Sequence, residues 1–175
     1  MPSSAPTVAE LLVGCKRSAV HLETRDHYGV AHEAADFQSW LRTGRLDTDP
    51  SSEEWAPWVE LVSSAVTRGV SVRRARVVSE PVSDYIRYEH ASTVVNLLAG
   101  EEVRWLPRRQ ALGVLLPATD FWLFDETVVR WGFFSGEGAL LGHEVSEDPG
   151  TAGQCAEVFK AVWQRAVPHA QYDIR

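Results

Sequence analysis

The sequence predicts an α/β (α+β) fold, a mixed sheet of about five strands with flanking helices and an N-terminal helical cap. Three observations predict it. Residues 70–107 read as strand, helix, strand; residues 120–145 hold three short strand-like runs separated by turn formers; and apolar residues recur at helical spacing through the first 68 residues and in the last long segment.

Val8, Leu11, Leu12, Cys15 and Ala19 lie on one face of a helix over 7–19. A second helix, 32–43, carries Ala34, Ala35, Phe37, Trp40 and Leu41 and stops at Gly44, a residue type that readily takes the left-handed conformation past a helix end. A third opens near Ser51, where Ser51 and Glu54 have capping-box spacing, with the stripe Trp55, Trp58, Val59, Val62, Ala65 and Val66. Pro57 has no amide proton, so the regular turns should begin later or bend there.

From Gly69 the character changes. In VSVRRARVV, residues 70–78, apolar Val70, Val72, Ala75 and Val77 alternate imperfectly with arginines, as in a strand with one polar edge or face. Ser83 then caps a helix with Ile86, His90, Val94 and Leu97 on one face and Gly100 as terminator, and EVRWLP is a short strand ended by Pro107. Such a unit implies parallel pairing with a right-handed crossover. After a looser stretch, 108–118, the runs DFWLFD, TVVRWGFF and ALLGHEV are divided by Asp125-Glu126 and by Gly136-Glu137-Gly138 and should form a meander. A closing helix, 151–166, presents Ala152, Cys155, Ala156, Phe159, Val162, Trp163 and Ala166. These elements group into a helical cap over 7–68, an α/β sheet domain over 69–167, together one compact unit, and a tail over 168–175.

Composition narrows the function classes. The net charge of -7 opposes broad attraction to a phosphate backbone, so direct nucleic-acid binding is not expected. Two cysteines, Cys15 and Cys155, are too few for a disulfide framework or a zinc ribbon; both fall on apolar helical faces as buried thiols, which suits a reducing cytoplasm. No apolar run approaches the roughly 18 residues of a membrane span, and no signal segment is recognisable, so a soluble cytoplasmic protein is expected.

The densest concentration of polar chemistry is VHLETRDHYGVAHEAADF, residues 20–37, with His21, Glu23, Arg25, Asp26, His27, His32 and Glu33. On a helix His27 would follow Glu23 by one turn while His21 points elsewhere; on a strand His21, Glu23 and Arg25 would share a face. Neither geometry gathers three donors, and neither H-E-x-x-H nor a cysteine pair is present, so no metal is expected. Arg25 and Asp26 remain, either to hydrogen-bond a ligand or to fasten the cap onto the sheet. The second group is Ser79, Glu80, Tyr85 and Arg87, placed beyond a strand end where open α/β sheets bind ligands; its plainer reading is a capped helix with packed tyrosines. GFFSG is not a nucleophile elbow, GEGALLG lacks dinucleotide spacing, no phosphate-binding loop occurs, and no cofactor is expected. The arginines of RRAR and RWLPRR flank Trp105 and could hold an anion or stack a base, or form a solvated, salt-bridged face.

SAVHLETRDHYG, VRRARVVSEPVSDYIRYEH, GEEVRWLPR and PATDFWLFDETVVRWGFF together resemble an actinobacterial, streptomycete-rich family of unknown function, over about residues 7–167. The resemblance implies a partner or appended domain of helix-turn-helix regulators. The half from Gly69 onward is similar to one half of the phospholipase D fold, whose catalytic signature is H-x-K-x4-D. With the final aspartate on Asp125, Ala118 stands at the histidine position and Asp120 at the lysine position, which implies a degenerate domain without that catalysis.

These observations point to a non-enzymatic regulatory domain that binds a small-molecule ligand or a protein, with a partner carrying the DNA-binding element. Expected ligand-binding residues are Arg25, Asp26, Ser79, Glu80, Tyr85, Arg87, Arg104, Asp120 and Trp122. Trp40, Trp55, Trp58 and the apolar meander offer a contact surface for a partner or for a homodimer. Two alternatives compete: a hydrolase or transferase with Glu80 or Asp120 as base and Arg87 or Arg104 as anion anchor, and a nucleic-acid effector using Arg73, Arg74, Arg76, Arg108 and Arg109.

Overall fold

The strand–helix–strand unit forms as β2 (Ser71–Val78), α4 (Asp84–Leu98) and β3 (Glu102–Pro107), and the two strands pair in parallel. Ser83 caps α4 through its hydroxyl, which accepts from the Ile86 amide at 3.1 Å. A computed structural model describes residues 5–29 and 34–175. In chain order its other elements are α1 (Val8–Gly14), β1 (Ser18–Glu23), α2 (Ala34–Thr43), α3 (Ala56–Thr67), β4 (Phe121–Phe124), β5 (Val128–Phe134), β6 (Leu140–Ser146), α5 (Pro149–Arg165) and β7 (Val167–Pro168). The class is mixed α/β as the pattern implies, with seven strands in the order β6-β5-β4-β1-β2-β3-β7 rather than about five.

The two added strands correct the reading of both ends. Residues 18–23, placed by periodicity in a helix and a junction, are a strand that pairs parallel with β2 and antiparallel with β4, joining the parallel half of the sheet to the meander. The segment 7–68 is therefore not wholly helical. At the other end Val167 and Pro168 pair with β3, and Tyr172 is buried with its ring stacked on Trp105 at 5.6 Å, so the last residues are anchored to the sheet edge. The β4–β5–β6 meander follows the sequence pattern. So does the delayed start of α3, which has Pro57 in its first turn, where a missing amide proton costs no helical hydrogen bond. Ser51 makes no capping box with Glu54; it bonds the Asp49 carboxylate instead.

One face of the sheet is a conventional apolar layer. Leu22, Ala75, Val77, Leu106, Phe121, Leu123 and Val129 pack against Ala152, Cys155, Phe159 and Val162 of α5. The other face carries two apolar clusters: Ala19, Val72 and Phe124 under α1 and α3, and Val78, Val103 and Trp105 against α2 and α4. Between them the sheet presents charged side chains, and α4 answers in kind. Its buried residues include Glu89, Ser92, Thr93 and Asn96 beside Tyr85, Ile86, Tyr88 and Val95, whereas Val94 and Leu97, predicted to face inward, are exposed. The helix has rotated its polar stripe onto a polar sheet.

The β4–β5 turn illustrates a different cost. Asp125 and Glu126 both have left-handed φ, 51° and 59°, and the Thr127 amide closes the turn onto the Phe124 carbonyl at 2.9 Å. Asp125 has a compensating role, since its carboxylate accepts from the amides of Lys16, Arg17 and Ser18 at 2.7–3.0 Å. Exposed Glu126 makes no such bonds among the described residues. Glu126→Gly should therefore stabilise by about 0.5–1 kcal/mol, seen as a higher urea midpoint at unchanged slope. A lower midpoint would show that the strain is relieved elsewhere.

Candidate functional site

The strand register builds the site. Arg74 of β2 pairs with His21 of β1, His21 with Trp122 of β4, and Trp122 with Arg130 of β5, so four non-aliphatic side chains run across the sheet on the α4 side. His21 stacks on Trp122 with ring centroids 4.3 Å apart and planes within 16°. Two residues along the strands, Glu23 and Arg76 stand on the same face.

Buried ion pairs tie these groups to distant segments. Arg74 contacts Glu23 at 3.3 Å and Glu101 at 2.7 Å, and Glu101 also accepts from Asn96 at 2.7 Å. Arg76 lies 3.1 Å from Glu23 and close against Glu89, although its Nε and Nη1 are not aimed for hydrogen bonds. Burial would push the Glu23 carboxyl up, but Arg76 and Arg74 outweigh it and hold the group at about 2. His21 moves the other way, to about 3, chiefly through burial, so it is a neutral imidazole at neutral pH; its Nδ1 has no hydrogen-bond partner. Asp120 accepts from the Thr24 amide and hydroxyl at 2.9 and 2.8 Å and from the Tyr28 hydroxyl, and its pKa is raised mainly by burial.

Over this row opens a cavity of about 650 Å³. Its floor is His21, Glu23, Arg74, Trp122 and Arg130; its walls are Tyr28, Tyr85, Glu89, Asp120, Phe134 and His143. The loop after β1 meets the β5–β6 turn at its mouth, where the Gly29 amide donates to the Gly138 carbonyl at 2.9 Å. Gly138 has φ 88°, and a Cβ there would lie 3.1 Å from the His27 carbonyl oxygen, so only glycine lets these backbones approach. A recess of about 260 Å³ between α3 and α4 reaches Arg74 and Glu89 from the other side. On the α5 side a groove of about 440 Å³ carries surface charges such as Lys160 and Glu157.

Of the predicted ligand residues, Tyr85, Asp120 and Trp122 line the cavity. Arg25 reaches the Ser135 carbonyl at 3.2 Å and lies over the Phe134 ring. Asp26 and Ser79 are spent on each other: the Ser79 amide and hydroxyl donate to the Asp26 carboxylate at 2.7 and 2.6 Å, while Arg108 bridges Ser79 Oγ and the Thr24 and Val77 carbonyls. That cluster cross-links the ends of β1, β2 and β3. Glu80 accepts from Tyr172 at 2.9 Å, half-buried Arg87 stands on α4, and Arg104 stacks on Trp163 of α5, on the opposite face from Asp120. Among the described residues no hydrogen bond or ion pair joins Glu80 or Asp120 to Arg87 or Arg104, and of these four only Asp120 lines the cavity. The five arginines considered for nucleic acid do not share a surface, because Arg74 and Arg76 are paired inside and Arg108 holds strand ends together. Trp40, Trp55 and Trp58 are half-buried, Trp40 against Tyr88 and Trp58 against Trp122. Among the described residues no three His, Cys, Asp or Glu side chains stand where they could share a metal ion. His32 and Glu33 lie outside the described residues.

His21, Glu23, Arg74, Glu89, Arg130 and His143 were not singled out as ligand residues by sequence. One signal was present: polar residues at every second position of HLE and RRAR define a whole strand face.

The model of the family described as Domain of unknown function (DUF6879) matches residues 6–173. The chain belongs to the DUF6879 family. No curated protein matches this DUF6879 chain. Among solved structures it is similar to TrmBL2, an archaeal chromatin protein whose structure is described as showing a novel mode of DNA binding, at 13% identity and TM-score 0.49. That match covers 91% of this chain and 48% of the archaeal one, so the DUF6879 chain spans about half its length. No described helix is long and apolar enough to cross a membrane.

Proposed function

We propose that this DUF6879 protein is a non-enzymatic ligand-binding domain that takes a small molecule in the 650 Å³ cavity and reports its occupancy to a protein partner. The observation that carries the proposal is the cavity floor. A sheet centre built only for stability would place aliphatic side chains there, since replacing buried ion pairs by apolar residues is often neutral or stabilising. Here charged and imidazole groups line a concave, partly aromatic space, and a few convergent polar groups in such a space are the usual make-up of a small-molecule pocket. Arg74 and Glu89 border both the cavity and the α3–α4 recess, so a ligand that shifts either alters the outer surface of that helix pair. A helix-turn-helix regulator is the partner that the sequence resemblance implies.

The test is a fragment screen by ligand-observed NMR on the full chain, repeated on Ala139→Trp, which narrows the mouth. Expected are mutually competing hits that weaken by about tenfold or more in the variant. A screen without hits, or hits indifferent to the variant, would sink the reading.

A further inference from the structure

We infer that the cavity ligand is a small oxyanion, a carboxylate or phosphate monoester joined to an apolar or aromatic group, with Arg130 as its charge anchor. The inference rests on the cavity reading above and adds the ligand's chemical class.

Arg130 is the exception among the charges around the cavity. Arg74 and Arg76 each meet two glutamates. Arg130 is only 9% exposed, yet among the described residues no carboxylate lies within 4 Å of it. Among the described residues its one hydrogen bond runs from Nε to the Pro6 carbonyl at 2.7 Å, and neither Nη nitrogen has an acceptor there. A largely buried guanidinium presents a planar fork of donors without a counter-charge among the described residues, and a carboxylate or phosphate supplies the acceptors and the charge at once.

The surroundings leave room for such a group. Gly132, two residues along β5 on the same face, adds no side chain, and a Cβ there would crowd the Phe134 ring at 3.2 Å. Opposite Gly132 stands His143, kept neutral by burial and by Arg130 itself, and His21 Nδ1, 4.0 Å from Glu23, is buried without a hydrogen-bond partner among the described residues. Neutral imidazoles contribute hydrogen bonds without competing for the anion's charge. Tyr28 and Phe134 provide the aromatic wall for the rest of the molecule. Three carboxylates also line the cavity, and each is committed: Glu23 to Arg74 and Arg76, Glu89 to Arg76, and Asp120 to Thr24 and Tyr28. An arriving cation would find no carboxylate without a partner, whereas an arriving anion finds an uncompensated guanidinium.

A matched series on one ring separates this inference from the reading beneath it. Benzoate, phenyl phosphate, benzamide and benzylamine are titrated into the full chain at pH 7 by calorimetry and ligand-observed NMR. Benzoate or phenyl phosphate should bind about tenfold or more tightly than benzamide and benzylamine, with affinity falling as salt is added. Arg130→Gln should remove that preference, while Arg130→Lys, which keeps the charge and loses the fork, should retain part of it. If benzamide or benzylamine binds as well as the anions, the anion assignment falls and the cavity reading stands; if neither this series nor the fragment screen yields a ligand, both fall. Should Arg130→Gln fail to fold, the charge series on the unaltered chain still decides.

Discussion

Replacing Arg76 with leucine is expected to destabilise the protein by about 3–5 kcal/mol, because truncating one partner of a buried ion pair strands the other's charge. Arg76 is 4% exposed and faces both Glu23 and Glu89, themselves 8% exposed. The double replacement Arg76→Leu with Glu89→Leu should recover part of the loss, since it removes one stranded carboxylate and refills the space with apolar atoms. The pH dependence gives an independent sign. The folded-state pKa of Glu23, about 2, lies below its ordinary 4.5, so its contribution is complete above pH 4.5 and disappears as pH falls toward 2. Without Arg76 one of the two cations holding that carboxyl down is gone while burial persists, so its pKa rises. The variant's deficit relative to wild type should therefore be largest at neutral pH and shrink between pH 4.5 and 2. Urea unfolding at pH 7 and pH 3 reads both effects; a neutral-pH loss below about 1 kcal/mol would mean that the pairs are screened like surface ones.

Asp120 calls for the opposite substitution logic. Asp120→Ala should cost about 2–4 kcal/mol, because it leaves the Thr24 amide and the buried Tyr28 hydroxyl without their acceptor. Asp120→Asn should stay within about 1 kcal/mol of wild type at pH 7, since the amide oxygen still accepts from Thr24 and the amide nitrogen can donate to Tyr28 Oη. Burial raises the Asp120 pKa, so the folded state holds that proton more tightly than the unfolded chain does. Its contribution is thus favourable at low pH and declines as pH rises through the folded value, the reverse of Glu23. Asn does not titrate, and its standing relative to wild type should improve from acid to neutral pH. Equal losses for Ala and Asn would show that shape, rather than hydrogen bonding, governs the position.

Local chemistry was legible in particular places. Ser83 announced the start of α4, Asp125-Glu126 the β4–β5 turn, Pro57 the late start of α3, and the spacing of Ala152, Cys155, Phe159 and Val162 the face of α5 that covers the sheet. β1 was not legible, and the same property hides most of the site. In SAVHLE the apolar Ala19 fits the helical spacing of the preceding residues, and Val20 and Leu22 stand beside His21 and Glu23, so the segment resembles a helix end and a polar junction, although both of its faces are covered. The polar stripe of α4 misleads likewise: Val94 and Leu97 look like the inner face, but Glu89 and Asn96 have buried partners.

Residue order alone was enough for five of the seven strands, the Ser83 cap, the turns of the meander and the apolar layer under α5, because each depends on propensities and periodicities within a few neighbouring residues. Only the tertiary structure decided that His21, Glu23, Arg74, Arg76 and Arg130 face inward. A charged side chain is buried when a complementary group from a remote segment meets it, and Glu23 of β1, Glu89 of α4 and Glu101 of the α4–β3 loop reach Arg74 and Arg76. Periodicity along one strand carries no record of that meeting, nor of its absence at Arg130.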